Sequence, residues 1–313
     1  MTANVAASVH QRLLNQARET GRPFNELLQY FALERFLYRL GKSTYSHLFV
    51  LKGALMFTIW QGPSARSTKD IDLLGRLENT SERMIEVMRA VCLEEVMADD
   101  GLRFQTDSIS AERITEGADY QGMRVFVPAT LGAARIPVRI DIGFGDALVP
   151  GSTMVQLPAI LDFPPPRLQG YSRESVVAEK LQAMVFLGEI NSRMKDFYDI
   201  WLLASSSVFQ GTILVNAIEA TFARRYTPVS VSPVALSADF ATTDKQIQWT
   251  AFSSRHPGIT MPAKLEIVVI DLAAFLLPPL SAVYKKNPFY QHWLPGGPWQ
   301  LDILLPESTP ESE

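Results

Sequence analysis

Apolar residues recur at helical spacing through the first forty positions. Val5, Val9, Leu13 and Ala17 form one run; after Gly21-Arg22-Pro23, Leu27, Leu28, Phe31, Leu33, Phe36, Leu37 and Leu40 form a broader stripe. The spacing predicts two helices, with Gly41 as a C-terminal stop. Residues 81–98 repeat the pattern through Met84, Val87, Met88, Val91 and Val96, with Asn79 as the expected N-cap and Glu82 three residues on. Between 103 and 150 the period falls to two. Arg103-Phe104-Gln105-Thr106, residues 120–128 and residues 136–144 read as strands. In the last, Val138, Ile140 and Ile142 face one way while Arg139, Asp141 and Gly143 face the other. Helical spacing returns over 172–223 and again from Pro262 to Leu277, where Pro278 is the expected stop.

This order predicts an α+β (mixed α/β) protein. Its expected organisation is an N-terminal helical segment (1–45), a mixed α/β core (46–160), a mainly helical C-terminal domain (171–305) and a flexible tail (306–313). The proline-rich stretch 162–170 is the expected linker, and 227–246, rich in Ser, Thr and Pro, the expected long loop.

Composition narrows the classes. The chain has 313 residues, 47% hydrophobic and 20% charged, which excludes disordered, collagen-like and coiled-coil proteins. A net charge of -4 excludes coating of nucleic acid by bulk positive charge, though not a local basic groove. One cysteine, Cys92, permits no intrachain disulfide and no cysteine-based zinc site, and the four histidines lie too far apart for metal-ligand spacing. The N-terminal stretch lacks a basic start followed by an apolar core. The longest apolar run, 265–280, is broken by Glu266, Asp271 and two prolines. A cytoplasmic protein without membrane association is expected.

The candidate chemistry centres on carboxylates. Asp70 and Asp72 flank Ile71 on a short apolar strand, so both project from one face. Two such charges repel unless a cation shares them, and Mg²⁺ held by one or two carboxylates plus substrate phosphates is the common solution. The plain alternative is a surface strand with alternating acids. Asp141 has a similar setting, and a neighbouring strand could bring it beside the pair; three such acids can hold two metal ions. Asp146, after Gly145, reads as a turn residue. Lys52-Gly53-Ala54 offers small residues where backbone could approach a phosphate, or simply a glycine in a buried turn. Lys180 borders an apolar helical stripe, either snorkelling to the surface or aimed at a cleft. Asp196 and Asp199 share a helix face; Asp196 could orient a cation or Lys180, or cap the helix. Arg35 and Arg39 are four apart, on a solvated face or in a basic groove with Lys42, Arg66, Lys69, Lys180, Arg193 and Lys195.

Taken in order, Phe49-Val50-Leu51-Lys52-Gly53-Ala54, Arg66-Ser67-Thr68-Lys69-Asp70-Ile71-Asp72-Leu73, Ala178-Glu179-Lys180-Leu181 and Lys195-Asp196-Phe197-Tyr198-Asp199 resemble the AbiEii-type nucleotidyltransferase toxins, with which the MenT toxins belong. The resemblance touches most of the chain. It implies a polymerase-beta-like nucleotidyltransferase core with a mixed sheet, flanked by N-terminal and C-terminal helices. It implies Mg²⁺- or Mn²⁺-dependent transfer of a nucleoside monophosphate from an NTP to an RNA acceptor, the tRNA 3′ end in particular, and a cognate antitoxin protein as partner. By the match, Asp70 and Asp72 are catalytic metal ligands. Lys52, Gly53, Arg66, Ser67 and Lys180 contact the nucleotide phosphates, Lys180 and Asp196 belong to the catalytic set, and Asp141 is added here as third metal ligand by its position. Ala54 departs from the glycine or serine of the motif but keeps its small size. Transfer to a protein or small molecule, or a nucleotide-binding interaction protein without turnover, are the competing functions.

Overall fold

The computed structural model describes residues 4–62, 68–116, 120–256 and 258–302. Arg66, Ser67 and the tail 306–313 lie outside the described residues. The chain divides into two compact units, one running to Asp146 and resuming over Gly151–Ser172, the other holding Ala147–Pro150 and everything from Arg173.

The first unit is built on one mixed sheet. Its strands are β1 (Phe49–Lys52), β2 (Asp70–Gly75), β3 (Leu102–Phe104), β4 (Ser110–Glu116), β5 (Tyr120–Leu131), β6 (Ala134–Phe144), β7 (Thr153–Gln156) and β8 (Arg167–Gly170), ordered β3-β5-β6-β2-β1-β8-β7, with β4 also paired to β5. β2 runs parallel to β6 and β1 parallel to β8, while the other pairings are antiparallel. Leu51, Ile71, Leu73, Ile140 and Ile142 are buried together on one side of the central strands. Helix α2 (Phe24–Lys42) packs on β6 and β8, and α1 (Val5–Thr20) packs on α2. α3 (Ala54–Gln61) follows β1 directly, and α4 (Ser81–Cys92) contacts β4 and β5.

The structure departs from the expected elements at several places. Gly41 does not end α2; it lies inside the helix, where a Cβ would sit 2.3 Å from the Arg167 carbonyl oxygen, so the glycine serves close approach of α2 to β8. Arg167–Gly170 is therefore sheet, not linker, and the unit boundary falls after Ser172. Thr80, not Asn79, caps α4, its hydroxyl accepting the Arg83 N–H, and the helix stops at Cys92, short of 98. β4, β7 and β8 lie where the spacing predicts no strand.

Arg35 and Arg39 are neither solvated nor part of a groove. Both are buried in unit 1: Arg35 Nη2 lies 2.5 Å from Glu34 Oε1 and donates to the Pro164 carbonyl, while Arg39 grips Asp100 with both terminal nitrogens. Burial pushes the Glu34 carboxyl up to about 7, although the Arg35 charge and the Ile160 N–H pull it down.

The second unit is mainly helical: α5 (Arg173–Leu187), α6 (Met194–Ser206), α7 (Gly211–Arg224), α8 (Thr243–Ser254) and α9 (Leu265–Lys285), with a small sheet of β9 (Phe209–Gln210), β10 (Gln291–Trp293) and β11 (Trp299–Leu301). The expected loop at 227–246 holds two short 3₁₀ turns, whose Ala235, Leu236 and Phe240 are buried, before α8 begins. α9 packs on α6 and α7 and continues seven residues past Pro278. Pro279 cannot donate to the Phe275 carbonyl one turn back, and the Trp299 indole N–H donates to that oxygen instead, at 2.9 Å. The resulting 21-residue helix is long and apolar enough, by length and composition, to cross a membrane; in the structure Leu265, Val268, Leu272, Phe275, Leu276 and Leu280 are buried in the unit's core.

Candidate functional site

Strand register assembles the polar face of unit 1. Lys52 stands opposite Asp72 across β1 and β2; Asp72 stands opposite Asp141 across β2 and β6; Asp141 stands opposite Arg124 across β6 and β5. Directly paired residues point to the same side of a sheet. Lys52, Asp72, Asp141 and Arg124 therefore form one row across four strands, with two acids at its centre and a cation at each end. Two residues earlier, Asp70 stands opposite Arg139 in the neighbouring row. The apolar residues that alternate with these acids are buried on the other face, which is why the acids emerge together.

Each charge has a defined neighbour. Arg124 holds Asp141 bidentately, Nε to Oδ1 at 2.8 Å and Nη2 to Oδ2 at 2.9 Å, and this bond raises the Arg124 pKa further above its ordinary value. Arg139 Nη2 donates to Asp70 Oδ2. Lys52 Nζ lies 2.6 Å from Asp146 Oδ2 and 5.5 Å from the centre of the Tyr171 ring. Asp146, read from sequence as a turn residue, is 1% exposed and is the acid that fixes the Lys52 ammonium.

Gly53 joins β1 to α3. Its φ of 70° and ψ of -148° belong to a region that is nearly glycine-only, and a Cβ there would lie 1.9 Å from Asp72 Oδ2. The glycine is thus required by the chain turn and by the Asp72 carboxylate beside it.

Unit 2 carries a second cluster. Lys180 on α5 reaches Asp196 Oδ1 at 2.6 Å and Asp199 Oδ2 at 2.9 Å, both on α6 and both fully buried. Arg193 Nε adds a 2.7 Å contact to Asp196 Oδ2. Of the roles open to Asp196, orienting Lys180 is the one the geometry displays. Lys180 is no snorkelling surface lysine; its side chain is 15% exposed and clamped between two carboxylates.

The structure brings Asp70, Asp72 and Asp141 together with Lys52 and Gly53 in unit 1, and Lys180 with Asp196 in unit 2. Sequence reasoning missed Arg124 as the partner of Asp141 and Asp146 as the partner of Lys52. It placed Arg139 on the face of Asp141 without giving it a role.

The donor set on this face suits a divalent cation. Two carboxylates two residues apart on one strand suit Mg²⁺, which takes one or two protein carboxylates and fills its octahedron with phosphates and water. Among the described residues no three acid, histidine or cysteine side chains converge as a closed cage, and this mode of binding needs none. Asp70 and Asp72 fit the role. Asp141 has both oxygens engaged by Arg124. Cys92 is excluded as a nucleophile: it is buried, and burial pushes its thiol up to about 12.

A family model described as nucleotidyl transferase AbiEii toxin, type IV toxin–antitoxin system, matches residues 35–276. No curated protein matches the chain. Among solved structures, the chain is similar to JHP933 from Helicobacter pylori at 13% identity and a TM-score of 0.45, over 83% of this chain and 92% of that one. It is also similar to an H. pylori protein provisionally assigned as a nucleotidyltransferase, at 13% identity and a TM-score of 0.43, over 83% and 95%.

Proposed function

The chain belongs to the AbiEii nucleotidyltransferase toxin family of type IV toxin–antitoxin systems, and from that premise we propose that it transfers a nucleoside monophosphate from an NTP to an RNA acceptor, the tRNA 3′ end foremost, in a Mg²⁺-dependent reaction that releases pyrophosphate. The observation that carries the reading is the row in unit 1. Two adjacent carboxylates, Asp70 and Asp72, share one sheet face, and a lysine is fixed at the end of the Asp72 row.

Asp70 and Asp72 would hold the divalent ion, which when bound polarises phosphoryl oxygens and templates in-line displacement. Lys52, its ammonium held by Asp146, offers compact positive charge to a phosphate without first having to be ordered. The missing Cβ of Gly53 leaves room for the Asp72 carboxylate beside it. Lys180 is carried over from the family match, and its clamp by Asp196 and Asp199 fixes where that ammonium points. The acceptor hydroxyl attacks the α-phosphorus, the new P–O bond forms as the bond to the β-phosphate oxygen breaks, and the hydroxyl proton passes to solvent.

Incubating the purified chain with each α-labelled NTP and Mg²⁺, separately with total RNA, with total protein and with no acceptor, tests the reading. Label in the tRNA fraction supports it. Label in protein or small products moves the acceptor to those classes. No label with any NTP, from folded protein that binds nucleotide, replaces the enzyme with a binding protein.

A further inference from the structure

The two arginines beside the acids are engaged differently. Arg124 commits Nε and Nη2 to Asp141 in a complete fork. Arg139 reaches Asp70 through Nη2, and its buried Nε meets no hydrogen-bond partner. Its side chain is also the more open of the two, 39% exposed against 29%. A guanidinium presents five donors in a planar fork that matches phosphate geometry. Arg139 leaves much of that fork unused beside the pair of carboxylates read above as the cation-holding pair.

We propose that Arg139 is a phosphate-binding residue of the nucleotide site, held on Asp70 as a counter-ion until the cation and nucleotide take over that carboxylate. The inference rests on the nucleotidyl-transfer reading. A guanidinium on Asp70 Oδ2 draws on the carboxylate's charge and repels a second cation placed beside it, so the two compete for Asp70. Once released, Arg139 remains opposite Asp70 by register, and its fork is free for the negative oxygens that arrive with the ion. Arg139 therefore opposes binding of the bare cation and favours binding of the polyphosphate. Its removal acts on the two ligands with opposite signs, which loss of a merely structural contact would not do.

The test uses the full chain. Mn²⁺ binding without nucleotide is followed by electron paramagnetic resonance. Binding of the α,β-methylene analogue of each of the four ribonucleoside triphosphates, with Mn²⁺ present, is followed by calorimetry. In Arg139→Gln, Mn²⁺ alone binds several-fold tighter, and the best analogue binds about tenfold weaker, the loss expected for one charge-assisted contact. Arg139→Lys keeps the charge without the fork; it binds the analogue more weakly and Mn²⁺ as the wild type does, and Arg139→Met gives the opposed pair of changes should Arg139→Gln not fold. Unchanged binding of both ligands in the Arg139 variants, or shifts in the same direction, overturns the proposal. A wild-type chain that binds neither Mn²⁺ nor any analogue overturns the nucleotidyl-transfer reading itself, and this inference with it.

Discussion

Gly53 and Asp72 meet with no room between them: a methyl group on the glycine would fall 1.9 Å from the aspartate Oδ2. The same glycine holds a φ of 70°. Gly53→Ala is thus penalised twice, by about 1–3 kcal/mol of backbone strain and by eviction of the carboxylate from its place in the row. A lowered urea midpoint together with lost nucleotidyl transfer is expected. A variant as stable and active as the wild type would show that Asp72 is free to move aside.

Asp72→Ala separates chemistry from stability. Asp72 stands directly beside Asp141, so two like charges share the centre of the row. Removing Asp72 takes one acid from the proposed cation-holding pair, and transfer is lost while the chain still folds. Asp70→Ala also abolishes transfer; the Arg139 it leaves behind is partly solvated, so the stability cost stays below about 1 kcal/mol. Thermal melts and pyrophosphate release measured on the same preparations check both statements.

Lys180 behaves otherwise, because its partners are buried. Lys180→Ala takes away an ammonium shared by two fully buried carboxylates, at a cost of about 3 kcal/mol. If expression of the chain without its antitoxin arrests growth, Lys180→Ala relieves the arrest partly by unfolding. Lys180→Met costs as much, whereas Lys180→Arg retains most of the stability. Urea titrations of the three variants, set beside growth, tell lost folding from lost chemistry.

Glu34 gives the fold a pH dependence of its own. Burial raises its carboxyl from 4.5 to about 7. Between those values the folded chain holds a proton that the unfolded chain has released, so the contribution is fully present below pH 4.5 and fades as pH rises through 7. The span corresponds to roughly 3 kcal/mol. Glu34→Gln should flatten the curve of unfolding free energy against pH across that window, and an unaltered slope would reassign the effect to other groups.

The strands that carry the acids were legible because burial on one face writes a period of two into the sequence. Asp70, Asp72 and Asp141 stand out against Ile71, Leu73, Ile140 and Ile142 for that reason. Register was not legible. The ion pairs Arg124–Asp141 and Lys52–Asp146 join residues 17 and 94 positions apart, and nothing local to Asp146 marks it as a partner and not a turn. Arg39 looked solvated because the acid that meets its charge, Asp100, lies 61 residues away, and Arg35 because the carbonyl that helps bury it belongs to Pro164, 129 residues away. Pro278 read as a stop because the donor that makes Pro279 tolerable, the Trp299 indole, comes from a different element. The period-two spacing of Arg139 and Asp141 was the one available hint that an arginine shares the acidic face.

The row across the sheet also bears on when, during synthesis, the proposed site can form. Translation delivers β1 and β2 early, yet the strand that seats Asp141 beside Asp72 ends at Phe144, and the acid that fixes Lys52 follows at 146. A nascent chain released before that point has the first acid pair but neither the row nor its fixed lysine. Premature termination anywhere upstream therefore yields fragments without the assembled face. An unfinished product thus lacks the arrangement on which the proposed transfer rests.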